Sequence, residues 1–163
     1  MKYSIWLLLL LAGSASAQWR HFGKAPGISL SRDMVAAHNA VRATVGTSPL
    51  RWSDQLAKVA QEWADRLMAS GEFAHSHNPK FGENLYDISG ASADSAIVVK
   101  AWADEVHGYE YRSNSCHGVC GHYTQIVWND TKEVGCAVAR GGKREVWVCE
   151  YDPPGNWVGR KPY

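Results

Sequence analysis

The stretch GHYTQIVW, residues 121–128, contains the most informative pattern of this sequence. We predict a strand at 122–128, in which His122, Thr124, Ile126 and Trp128 face one way and Tyr123, Gln125 and Val127 the other. His122 opens that strand directly after Gly121, although a strand inside a core rarely begins with an imidazole. We interpret His122 as a rim residue that faces a cleft, with the glycine leaving room for that approach.

The first 17 residues, MKYSIWLLLLLAGSASA, have the composition of a signal peptide. Lys2 supplies a positive charge, an apolar run follows, and Ala15-Ser16-Ala17 is a small-residue cleavage pattern. The run is too short to span a bilayer, so we predict cleavage after Ala17 rather than a retained anchor. The mature chain, residues 18–163, is then one secreted domain without a transmembrane segment, or a periplasmic one in a Gram-negative host.

Charge and composition exclude several classes of partner. The chain has 17 Lys and Arg against 16 Asp and Glu, and no dense basic run, so we predict no nucleic-acid partner. Eight Trp predict a core rich in large aromatic side chains, and we expect a monomer. A glycosylation sequon begins at Asn129 and matters only in a glycosylating host.

Helical periodicity predicts three helices in the first part of the mature chain. The first covers SLSRDMVAAHNAVRATVG, residues 29–46. The second begins after its N-cap Ser53 and ends at Gly71. Residues 72–91 contain several turn formers and predict a loop, and the third helix covers about 92–106.

Strand-like runs follow at 122–128, 133–140 and 144–151, after an irregular segment at 107–121. Gly141-Gly142 joins the last two runs as a tight hairpin. Helices followed by a hairpin sheet predict an α+β domain, in which the helices pack on an antiparallel sheet.

Four cysteines in an exported chain are predicted to form disulfides. Cys116 and Cys120 bracket a short loop, and Cys136 and Cys149 fall on the two strands of the hairpin. Four cysteines allow three pairings, and this geometry favours 116–120 with 136–149 while the others remain open.

Four ionisable residues are considered together: His75 and Glu83 in the predicted loop after the second helix, Glu105 in the last turn of the third helix, and His122 at the start of the first strand. If the helices pack on the sheet, the four can meet at one end of the domain. Neutral imidazoles bind zinc, and carboxylates either bind it or orient the imidazoles. Two histidines would leave coordination positions open, which is typical of a labile or catalytic site rather than a structural one.

Other interpretations of these residues stay open on spacing alone, because the sequence has no HExxH motif. Each histidine could simply be a hydrogen-bonding residue, and His77 could take the place of His75. His38 lies between apolar positions and is predicted to be packed. Ser76 is poorly placed to be a nucleophile beside His75, and the chain lacks a GxSxG elbow.

The sequence resembles the CAP superfamily, which comprises the cysteine-rich secretory, antigen 5 and pathogenesis-related-1 proteins and is also called the SCP domain. Besides GHYTQIVW, the matching motifs are HNAVR (38–42), FGENLY (81–86) and VCEYDPPGNWVGRKPY (148–163). They stand in the family's order and cover about residue 30 to the end, most similarly to the plant pathogenesis-related-1 type. The resemblance implies an α-β-α sandwich with a central antiparallel sheet.

The resemblance also implies a cleft lined by two histidines and two glutamates. The family positions fall on His75, on Glu83 of GEN, on Glu105 of WADE and on His122 of GHYTQ. In relatives the histidines bind zinc or another divalent ion, so His75 and His122 are the implied ligands, with Glu83 and Glu105 behind them. No metal is implied for folding, and the resemblance establishes no catalytic residue.

The chain departs from the plant pattern at two cysteine positions, which are Gly71 and Gly141 here. Both halves of one bridge are missing together, which supports the pairing assigned to the other four cysteines. The chain also stops at the PY of the last motif. The channel-blocking activity of relatives with a cysteine-rich extension is therefore not implied.

The resemblance implies a binding protein for sterols or other small lipids, more than an enzyme. A metal-dependent hydrolase is the competing hypothesis, with a metal-bound water activated by Glu83 or Glu105. A precursor that releases the C-terminal peptide PPGNWVGRKPY as a signal is the third.

Overall fold

A computed structural model of the protein describes residues 26–163, with side chains from Leu30 onward, so the predicted signal peptide lies outside the described residues. The elements in chain order are α1 (Pro26–Thr44), β1 (Arg51–Trp52), α2 (Asp54–Ser70), β2 (Gly82–Ser89), α3 (Ser95–Ala103), a 3-10 helix (Asp104–Gly108), β3 (Tyr109–Glu110), β4 (Ser115–Cys116), α4 (Gly121–Ile126), β5 (Glu133–Gly141) and β6 (Arg144–Asp152). None of the described helices has the length and apolarity needed to cross a bilayer.

The main sheet has four strands in the order β1-β5-β6-β2. β6 pairs antiparallel with β5 on one side and with β2 on the other. β1 adds a two-residue parallel pair to the outer edge of β5, and β3 and β4 form a separate ribbon. The predicted α+β class with a central antiparallel sheet is confirmed, apart from that short parallel edge.

Helices cover both faces of the sheet and enclose two cores. α2 packs over the face that carries Leu85, Ala137, Ala139, Val146 and Val148. The other core lies under α1, α3 and α4, and its largest side chains are Met34, Trp102, Tyr123, Ile126, Trp147 and Tyr151. The layers are therefore helix, sheet, helix, as the family resemblance implies.

The predicted second helix is confirmed as α2, and its ends follow from local chemistry. The Ser53 side chain accepts a hydrogen bond from the Leu56 N–H at the N-terminus. Gly71 ends the helix in a left-handed conformation with φ of 77°, which a residue without Cβ adopts at no steric cost.

The predicted strand at 122–128 is wrong, because residues 121–126 form the short helix α4. Tyr123, Ile126 and Val127 are buried at spacings of three and four, which places them on one helical face. A run of seven residues is too short for periodicity to separate a strand from a helix. Apart from its chain neighbours and the backbone of its own helix, a Cβ at Gly121 would meet only Asn156, at 3.8 Å.

The predicted loop at 72–91 is wrong in its second half, where β2 pairs with β6 along its whole length. Gly82 and Gly90 are residues that commonly interrupt regular structure, but here they mark the two ends of the strand. The third helix is shorter than expected, because the α-helix ends at Ala103 and Glu105 lies in the 3-10 helix.

The described disulfides join Cys116 to Cys120 and Cys136 to Cys149, so the favoured pairing is confirmed. Cys136 and Cys149 are directly opposite each other on β5 and β6. The hairpin is confirmed as well, with Gly141 paired to Arg144 across the turn.

Candidate functional site

His75 and Glu83 form the first of two histidine–glutamate pairs. The imidazole Nδ1 of His75 lies 2.5 Å from Oε1 of Glu83, and the Ser76 N–H donates to the same oxygen at 3.0 Å. Glu83 is 7% exposed while His75 is 56% exposed. The carboxylate is therefore the fixed member, and it orients an imidazole that faces solvent.

His122 and Glu105 form the second pair. His122 Nδ1 lies 2.5 Å from Oε1 of Glu105, whose other oxygen accepts the backbone N–H groups of His122 and Tyr123. The imidazole also stacks on the Trp102 ring, with centroids 6.0 Å apart and planes 22° from parallel. Glu105 and Trp102 thus fix this imidazole at the start of α4, and the two backbone N–H groups hold the Glu105 carboxylate in place.

Hydrogen bonding sets the charge of the first pair. The hydrogen bond to Glu83 raises the pKa of His75 above its ordinary value, against the opposing effect of burial. Burial alone would raise the pKa of Glu83, but the hydrogen bonds from His75 and Ser76 hold that pKa below its ordinary value. Both shifts favour an imidazolium–carboxylate pair.

Asn84 connects the start of β2 to the second pair. Its amide donates to the His122 carbonyl and to the Tyr151 hydroxyl, each at 3.1 Å. The Tyr151 hydroxyl also lies 2.8 Å from Nε2 of His38, whose Nδ1 lies 2.8 Å from the Met34 carbonyl. Because a carbonyl only accepts, His38 is protonated on Nδ1, and its Nε2 accepts the Tyr151 proton.

The structure brings the four predicted residues together as two pairs. Glu83 and Asn84 are adjacent on β2, so both pairs lie near the start of that strand. In the described part of the chain, no three His, Cys, Asp or Glu side chains form a group able to hold a metal ion. The role of His75 and His122 as ligands stays a prediction.

A model of the CAP family, described as the cysteine-rich secretory protein family, matches residues 35–151. Pathogenesis-related protein 1A from Nicotiana tabacum is 46% identical over 135 residues, covering 81% of this chain and 80% of its own. The chain belongs to the CAP family.

Solved structures agree with this assignment. The venom allergen-like protein 4 of Schistosoma mansoni superimposes with a TM-score of 0.67 at 29% identity, covering 82% of this chain and 92% of its own. The crystal structure of NaASP2 with Zn²⁺ gives a TM-score of 0.71 over 83% of this chain and 85% of its own. Its 24% identity limits that likeness to the fold.

In this CAP domain the HNAVR segment (38–42) is hydrogen-bonded to the backbone next to the site. The fully buried Arg42 donates to backbone carbonyls around the end of α4, and these belong to Ser48, Ile126, Trp128 and Thr131. His38 is also fully buried, so the prediction of a packed histidine is confirmed. His77 is exposed, and the partner of Glu83 is His75.

Sequence reasoning missed two residues of the site. Asn84 belongs to the motif FGENLY, but residues 72–91 were predicted to be a loop, so its place on a strand was not recognised. Glu150 is 0% exposed and directly opposite Glu83 in the β2–β6 pair. The available signal was an acid within VWVCEY, an otherwise apolar run that predicts a buried strand.

Proposed function

We propose that this chain is an exported CAP-domain binding protein whose His75 and His122 bind a divalent metal ion. The observation that carries this is the use of Nδ1 in both imidazoles for a carboxylate. No described residue hydrogen-bonds either Nε2, so each can serve as a ligand when the metal ion displaces any proton it carries. A metal-binding histidine ordinarily donates its other N–H to a carboxylate in this way.

Zinc is the ion that fits these donors best. Neutral imidazole is a common zinc ligand, and a site with two protein ligands leaves positions for water or a bound partner. When bound, the ion would supply a Lewis acid at the cleft.

The arrangement favours binding over hydrolysis. A general base needs a free carboxylate within reach of the attacking water. Glu83 is held by His75 and the Ser76 N–H, and Glu105 by His122 and two backbone N–H groups. Both carboxylates therefore act best as orienting groups. The two disulfides support export, because such bonds persist in oxidising compartments.

Calorimetric titration with Zn²⁺ tests the metal site. We expect one ion per chain, at least about tenfold weaker binding in His75→Ala and in His122→Ala, and a loss of about 10–100-fold in Glu105→Gln. His117→Ala removes an exposed histidine outside both pairs and should leave the affinity unchanged.

Unchanged zinc affinity in the double variant of His75 and His122 would contradict the site. Two ions per chain, each lost in one single variant, would show that the pairs bind separately. Turnover of peptide or ester substrates by the zinc-loaded protein, abolished in His75→Ala, would favour the hydrolase instead.

A groove between α1 and α2 is the proposed site for a sterol or fatty acid. It encloses about 460 Å³ at the open edge of β5, within the size range of small-molecule pockets. Its lining includes Leu30, Trp52, Ala57, Lys58, Cys136 and Ala137. The cavity beside Trp157 and Arg160 is smaller, about 220 Å³, and falls below that range.

Binding of a fluorescent sterol or fatty acid to the mature protein tests this placement. Ala57→Leu narrows the groove and should weaken binding at least about fivefold, because the added side chain occupies ligand volume. Ala69→Leu, at an exposed position near the end of α2, is the matched control. Loss of binding in Trp157→Ala but not in Ala57→Leu would place the lipid in the smaller cavity.

Release of the C-terminal peptide is less well supported, because the last residues are held by the domain. The Asn129 N–H donates to the Pro162 carbonyl at 2.7 Å, and the Tyr111 hydroxyl to the Tyr163 carbonyl at 2.6 Å. The Tyr111 and Tyr163 rings stack with centroids 4.7 Å apart. A protease would have to break these contacts as well as the chain.

A further inference from the structure

Glu150 is an acid in the middle of the protein that the proposed function does not use. It is 0% exposed, and neither carboxylate oxygen has a hydrogen-bond partner in the described structure. Buried polar groups without partners are rare, because each loses its hydration without replacement. A buried carboxylate without a cation nearby is costlier still.

Of the two described residues directly opposite Glu150 in the sheet, one is ionisable. Glu83 lies directly opposite on β2, and Gly135 directly opposite on β5. Residues directly opposite each other share a face of the sheet with Cβ atoms about 5 Å apart. α2 covers this face, and its buried side chains are not ionisable, being Leu56, Ala60, Ala64 and Leu67.

These neighbours make a proton on Glu150 more favourable than a charge. Burial, and then the negative charge of Glu83, raise the pKa of Glu150 to about 8. The pKa of Glu83 is shifted the other way by His75. Two neighbouring carboxyl groups thus differ in their preferred protonation state. In such a pair, one carboxyl group carries the proton and donates it in a hydrogen bond to the other.

We propose that Glu150 is a positioning residue that carries a proton at neutral pH and directs it to the Glu83 carboxylate. Glu83 would then lie between two donors, the imidazole of His75 and the carboxylic acid of Glu150. This deepens the proposed metal site, since the orientation of His75 depends on Glu83. Loss of the Glu150 proton would place a second negative charge beside Glu83.

Metal-free protein tests this independently of metal or lipid binding. In wild type, the His75 imidazole NMR signals should show a second step near pH 8, when Glu150 loses its proton. Glu150→Gln keeps the shape and a donor but cannot ionise, so that step should be absent. Identical His75 titrations in the two proteins would overturn the proposal.

Urea unfolding adds a readout that does not involve His75. A raised native pKa means that the unfolded chain releases a proton which the folded chain retains, so wild type loses stability as pH rises from about 5 to about 8. The unfolding midpoint of Glu150→Gln should therefore rise above that of wild type across this window and stay above it at higher pH.

Glu145→Gln on the same strand is the matched control. Burial alone would raise the pKa of Glu145, but hydrogen bonds from Ala93, Arg140 and Trp147 hold it below its ordinary value. This variant should lose stability at neutral pH and regain parity with wild type in acid, which is the opposite pattern. The same pattern in both variants would contradict a protonated Glu150.

If Glu150→Gln does not fold, infrared titration shows whether Glu150 carries a proton at neutral pH. A protonated carboxyl band should persist in wild type at pH 7 and disappear above about pH 8. In Glu83→Gln it should disappear at lower pH, because the neighbouring negative charge is gone. Absence of the band in wild type at pH 7 would overturn the proposal.

Discussion

At the scale of single residues, His38 shows how burial fixes a charge state. It is fully buried, and burial lowers its pKa to about 4 against the hydrogen bond from its ring to the Met34 carbonyl. The neutral ring accepts the Tyr151 hydroxyl proton, and Tyr151 in turn accepts from Asn84. A proton on Nε2 of His38 would prevent it from accepting the hydrogen bond from the Tyr151 hydroxyl.

We therefore expect His38 to make the protein acid-sensitive. Between about pH 6.5 and pH 4, His38 binds a proton in the unfolded chain but not in the folded chain. The free energy of unfolding therefore falls as the pH is lowered. The full effect is about 3 kcal/mol. Urea unfolding at several pH values should show this slope in wild type.

The slope should be smaller in His38→Gln, which has no titrating ring, and unchanged in His117→Ala, where the histidine is exposed. An equal slope in His38→Gln and wild type would show that other groups cause the acid sensitivity.

At the scale of elements, the contact between α2 and β5 requires a glycine. A Cβ at Gly135 would lie 2.5 Å from the Ser53 carbonyl oxygen and 2.6 Å from the Leu56 carbonyl carbon. Backbone atoms of a capped helix cannot move aside as a side chain can. The first turn of α2 therefore rests directly on the sheet.

Gly135→Ala should consequently destabilise the protein by about 3 kcal/mol, near the upper end for overpacking. Gly121→Ala is the matched control, because a Cβ there has only an ordinary contact and alanine favours a helix. Thermal unfolding of both variants gives the comparison. Equal melting temperatures would mean that α2 can shift without cost.

At the scale of the whole molecule, the proposed metal and lipid sites lie at opposite edges of the sheet. The histidine–glutamate pairs are at the start of β2, and the groove is beside β1 and β5. One strand, β6, and the packed cores separate them. The lipid affinity should therefore survive His122→Ala, and the zinc affinity should survive Ala57→Leu.

Local chemistry was readable in the sequence wherever it acts over a few residues. Ser53 and Gly71 bound α2 through a side-chain cap and a left-handed turn. The cysteine spacing indicated both disulfides, one across a short loop and one across a hairpin. The motifs indicated the four site residues His75, Glu83, Glu105 and His122 only through family resemblance, since spacing alone left them open. The structure decided which imidazole meets which carboxylate.

The sequence by itself determined the family through its motifs, and that resemblance implied the two helix-covered faces and the residue types of the site. Periodicity and caps determined the α+β class, because they are local signals. The tertiary structure decided that residues 121–126 are helical and that residues 82–89 form a strand, since both segments gain their order from distant partners. It also decided the surroundings of Glu150. An acid in an apolar run is uninformative until the neighbouring strand places a second carboxylate opposite it.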